Sequence, residues 1–115
     1  MKLFYRYSDR PDDEDVQCVY LETWRLARFS ASGKTVWVEP TGFPSGELKR
    51  FQPKSQRPWA HDTPEQAWAA FGRRKHWQAA ILRDKLRRAM ATYEFVANHP
   101  VPSFAPFLLF PVPPL

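Results

Sequence analysis

The chain has 115 residues, enough for one hydrophobic core and too few for two, and a net charge of +5. Its 43% apolar and 25% charged residues argue against wholesale disorder, while twelve prolines and 16% aromatics, five of them Trp, depart from the globular average. With Cys18 as the only cysteine, neither an intramolecular disulfide nor a cysteine-based zinc site can form.

The lack of disulfides favours a reducing compartment. The opening MKLFYRYSDRPDDED has no apolar run of signal-peptide length, and the prolines in the apolar stretch VPSFAPFLLFPVPPL argue against a membrane helix. The expectation is a cytosolic protein without membrane contact. Charge is divided along the chain. Residues 1–24 hold three Lys/Arg against six Asp/Glu, and residues 49–88 hold eleven against three. That separation suits an acidic partner, or a solvated basic face.

Lys2–Tyr7 alternates and is aromatic, which predicts an edge strand, and Asp9–Asp15 reads as an acidic loop. Val16–Phe29 and Lys34–Glu39 read as a hairpin about the turn Ser30-Ala31-Ser32-Gly33, with Gly33 suited to positive φ. After a Pro/Gly loop, Leu48–Phe51 is a further short strand, and Gln52–His61 is an extended connection. Thr63 as N-cap, Pro64 at the first helical position and Gln66 three residues on mark a helix start. The helix then runs to Asn98-His99-Pro100, about 50 Å long, with Gly72 its weakest point. The fold class is therefore α+β: a small antiparallel sheet of three to four strands packed by one long helix. Residues 1–99 form the domain, and residues 100–115 form a Pro-rich apolar tail that docks on something.

At 100° per residue, Trp68, Phe71, Ala79, Leu82, Leu86, Ala89, Tyr93 and Val96 share one stripe, expected to pack on the hairpin sheet. Trp77, Ile81, Arg88 and Phe95, with Asp84 at the edge, cluster more than about 100° away. This second face needs a cover, from the tail, a second copy of the chain or another protein, or it stands exposed; it is the candidate partner-binding site. Arg73, Arg74, Lys75, Arg83 and Arg87 are candidates for contact with nucleic acid or an acidic partner, because basic side chains along one helix can track phosphates. No helix-turn-helix, zinc-finger or RNA-binding signature accompanies them.

Catalytic chemistry has little support. His61, His76 and His99 lack metal-site spacing, and each has a simple structural reading: His61 beside Asp62 near the helix cap, His99 at the helix C-terminus. Cys18 has no neighbouring His in sequence and reads as a buried, inert thiol. The acids Asp12–Asp15 lack the spaced ligands of a calcium loop, and the four glycines form no phosphate loop. No catalytic residue, metal or cofactor is expected.

The segment Pro64–Ala91, preceded by Thr63 and the basic Lys49-Arg50-Phe51 strand, resembles a pattern in small phage and prophage accessory proteins. There, a hairpin ending in a basic aromatic strand leads through a capped turn into a basic amphipathic helix. Thr63, Glu65, Ala67, Phe71, Arg74, Lys75, Gln78, Ile81, Leu82 and Leu86 carry the resemblance, which covers about a third of the chain. It implies a non-enzymatic protein of the bacterial host cytoplasm that binds and disables a host complex, such as an antiviral defence assembly. A basic nucleic-acid-binding accessory protein is the alternative, and a homodimer fits either.

Overall fold

The computed structural model describes residues 2–42, 46–99 and 112–114. Four antiparallel strands precede one helix: β1 (Leu3–Pro11), β2 (Gln17–Phe29), β3 (Val36–Pro40), β4 (Lys49–Phe51) and α1 (Pro64–Ala97). The chain divides into two compact units, Met1–Arg74 and Lys75–Leu115.

In the first unit the strands lie in the order β1-β2-β3-β4, each paired with its neighbour in sequence. The expected hairpin is present, with Ser30 N–H donating to the Thr35 carbonyl and Gly33 at φ 74° where a side chain would be strained. β1 continues past Tyr7 to Pro11, so the acidic loop is shorter than its composition suggests. Asp12 Oδ1 accepts the backbone N–H groups of Glu14 and Val16, both at 2.9 Å, and Asp15 takes φ 62°. An Asp side chain that replaces backbone acceptors closes the turn, which lets pairing run out to Pro11↔Gln17. Between Leu26 and Arg28 the β2–β3 register slips by a bulge, which bends the long strand.

The sheet curls strongly. Phe4 on one edge strand meets Phe51 on the other, ring centroids 5.1 Å apart and edge to face. Across a flat sheet those strands would lie roughly 14 Å apart. Trp24, Val36 and Val38 fill the concave face, and Ala60 closes it with Trp59, whose ring sits 4.9 Å from Trp24 and 5.9 Å from Phe51. Just beyond, His61 bridges the free edge of β1: its N–H donates to the Tyr5 carbonyl at 2.9 Å, and Tyr5 N–H donates back at 2.7 Å. The connection Gln52–His61 is thus part of the core wall, a role its prolines did not suggest.

Thr63 caps the helix as its sequence requires, Oγ1 accepting the Gln66 N–H at 3.1 Å. The first two turns pack: Ala67 and Phe71 are buried, and Tyr7 of β1 lies edge-on to Trp68 at 4.9 Å. The helix continues through Gly72 without a break.

Candidate functional site

Of the apolar stripe expected to rest on the sheet, the start and the remainder differ in exposure. Phe71 is buried, whereas Leu82, Leu86, Tyr93 and Val96 are all exposed. An amphipathic pattern states only that a helix face can be covered, not by what.

On the second face, Trp77 is 63% and Ile81 55% exposed, one turn apart. Only the His76 ring, edge-on at 5.6 Å, adjoins the Trp77 ring among the aromatic contacts of the described residues. Arg88 points a guanidinium nitrogen at Asp84 Oδ2 across 3.1 Å, and Arg87 takes the other Asp84 oxygen at 2.5 Å. Phe95 differs from its companions. It is half-buried, stacks on His99 at 4.0 Å, and lines a cleft of about 200 Å³ with Ala91, Pro113 and Pro114. Pro113 and Pro114 therefore lie against this part of the helix. The tail residues 100–111 lie outside the described residues. His99 Nδ1 sits 2.7 Å from the Phe95 carbonyl, satisfying a helix-terminal acceptor as its position implied.

The basic candidates are not one surface. Arg74 donates to the Tyr7 carbonyl at 2.7 Å and lies over the Phe71 ring, so it helps fasten the helix start to β1. Burial, with Arg6 adding to it, lowers its pKa below the usual guanidinium value. Lys75 donates to Gln78 Oε1 at 2.8 Å, and Arg87 is tied to Asp84. Among the described residues, Arg73 and Arg83 alone of the five have neither a hydrogen bond nor an ion pair.

Comparison of the chain with family models, characterised proteins and solved structures finds no match. Its chemistry must be read from its own residues.

Within the first unit, a cleft of about 380 Å³ is lined by Phe4, Ala60, His61, Gln66 and Arg73 among others. Burial lowers the His61 pKa below its usual value, and the positive charges of Arg73 and Arg74 lower it further, so the ring is neutral at pH 7. Asp62, expected to pair with His61, instead holds Lys2 Nζ at 2.7 Å. Cys18 is half-buried rather than buried, its Sγ 3.3 Å from the Val16 carbonyl and 3.7 Å from Asp12 Oδ2. No group of three His, Cys, Asp or Glu among the described residues could hold a metal ion, and no described helix is long and apolar enough to cross a membrane.

Proposed function

We propose that this chain is a non-enzymatic binding protein of the phage accessory type, acting in the bacterial cytoplasm, which docks on a host protein complex and modulates it. The observation that carries the reading is the pair Trp77 and Ile81, exposed at adjacent turns of one helix face. An exposed Trp is an interface anchor: it adds a large apolar area for few frozen rotors and offers an N–H to a partner acceptor. Arg88, held by Asp84 at the rim of that face, supplies an oriented donor beside it. Phe95 contributes less, because His99 stacks on it. The resemblance of the Pro64–Ala91 segment to phage accessory helices supports the choice of a host complex as target.

The test is affinity capture of the tagged chain from bacterial lysate, with Trp77→Ala run beside it. A protein complex recovered by the parent chain and lost with Trp77→Ala supports docking through this face. Recovery of nucleic acid alone, or capture indifferent to Trp77, rejects it.

A nucleic-acid-binding role is the second reading, favoured by the unpaired guanidinium groups of Arg73 and Arg83. Because Arg74, Lys75 and Arg87 are already engaged, it requires a shallow salt dependence, a log–log slope of about −2 for two phosphate contacts on duplex DNA. A steep slope would mean that the engaged side chains let go of their present partners.

A further inference from the structure

The helix from Ala79 to Val96 carries a repeat that the docking face does not use. Ala79, Leu82, Leu86, Ala89, Tyr93 and Val96 follow one another at alternating steps of three and four residues. This is the 3.5-residue repeat by which two helices wind round each other. Its large side chains are open: Tyr93 is 77%, Val96 65% and Leu86 59% exposed. At 100° per residue the stripe lies on the opposite side of the helix from Ala91 and Phe95, which adjoin Pro113 and Pro114.

We propose that this stripe is the seam of an antiparallel homodimer, with a second copy of the same helix as its occupant. Side-chain sizes along it are arranged about a centre between Arg87 and Arg88. Ala79 stands as far before that centre as Val96 stands after it, Leu82 as far as Tyr93, and Leu86 as far as Ala89. Turned end for end about that point, two copies meet as Ala79 on Val96, Leu82 on Tyr93 and Leu86 on Ala89. Every layer then joins a smaller side chain to a larger one, which is what even packing along a seam needs. A parallel pair would set Ala79 on Ala79, Ala89 on Ala89 and Tyr93 on Tyr93, narrow and wide layers that rigid helices cannot both satisfy.

Charge agrees with the same arrangement. Arg83 and the Glu94 carboxylate have no ion pair within the chain among the described residues. In the antiparallel pair, Arg83 of one copy comes within about 3 Å along the axis of Glu94 of the other, on the same flank, and the two-fold symmetry makes two such pairs. On the other flank Lys85 comes within about 3 Å along the axis of Thr92, which carries no charge. The seam is about 26 Å long, less than three heptads, which is short for an obligate dimer. The inference stands apart from the docking proposal, which uses the other side of the helix.

Sedimentation velocity on the full chain, from low micromolar to submillimolar concentration, reads the association directly. The expected result is a monomer–dimer equilibrium that Leu86→Glu weakens by roughly tenfold or more while circular dichroism stays unchanged. Arg83→Glu and Glu94→Arg should each weaken it, and the two together should restore it. Orientation is read by cross-linking in a Cys18→Ser background. Mixed Ala79→Cys and Val96→Cys chains should oxidise to a covalent pair, whereas Ala79→Cys alone should not. A monomer at every concentration, a dimer indifferent to Leu86→Glu, or cross-linking of Ala79→Cys by itself would overturn the proposal.

Discussion

Residues 1–74 and residues 75–115 use the same kinds of side chain to opposite ends. In the first, Phe4, Trp24, Val36, Val38 and Phe51 lie against one another, and the aromatic rings interlock at edge-to-face and tilted angles. In the second, Trp77, Ile81, Leu82, Leu86, Tyr93 and Val96 face outward from a single helix. A buried aromatic cluster gives the first region a fixed shape, and a row of open apolar side chains gives the second an exposed apolar surface. The contrast teaches that high aromatic content in a small basic protein need not mean a large core. Here much of it is surface.

Substitutions of the same residue type test that contrast most sharply. Trp24→Ala should lose about 3–5 kcal/mol in chemical denaturation, since it empties the centre of the curled sheet. Trp77→Ala should change the same midpoint by less than about 0.5 kcal/mol. Comparable losses from both would break the distinction between core and surface tryptophan. Thr63→Ala, which removes the oxygen that accepts the Gln66 N–H, should cost about 1 kcal/mol and lower the helical signal. Gly72→Ala should go the other way, gaining about 0.5–1 kcal/mol, because a Cβ there meets nothing within 4 Å. A loss at Gly72 would mean that the helix bends there in solution.

The smallest effect is one of pH. The folded-state pKa of His61 is lowered from 6.5, so the unfolded chain binds the proton more readily. The stability tied to this ring is therefore fully present above pH 6.5 and falls as acid protonates it, and His61→Gln should flatten that part of the profile. Asp12 has the same sign at a lower window: its turn hydrogen bonds, that to Val16 foremost, lower its pKa from 3.8, and the stability they confer is lost as pH falls below that value. Unfolding midpoints measured across both windows separate the two groups. Only the first should respond to His61→Gln.

Much of the architecture was legible because its signals are local. The Ser30–Gly33 turn, the Thr63–Pro64 cap and the alternation of Lys34–Glu39 each act within a few residues, and all three appear where expected. The curl was not legible, because no pattern in β1 or β4 alone says that Phe4 will meet Phe51. The same holds for Trp59 and Ala60, which a proline-bracketed stretch disguised as a linker. For the candidate site, the two helix faces were read from periodicity, but the pairings Arg74–Tyr7 and Arg87–Asp84 divide what charge alone suggested was one basic surface. The face from Ala79 to Val96 was visible in the sequence as an apolar stripe. Its open exposure was the missing observation.

The bridge between Tyr5 and His61 also sets the order of events as the chain is made. Until His61 has emerged from the ribosome, the free edge of β1 lacks its closing partner, and Phe4 waits for Phe51 across a loop whose closure costs about 3 kcal/mol of chain entropy. The helix has no such delay, since its contacts span one turn and form in about a microsecond or less. During synthesis β1 appears before the residues that lock it, and is thus among the last parts of the sheet to be held in place. An unfinished β1–β2 ribbon, with paired strands and one bare edge, is the species that chaperones would meet.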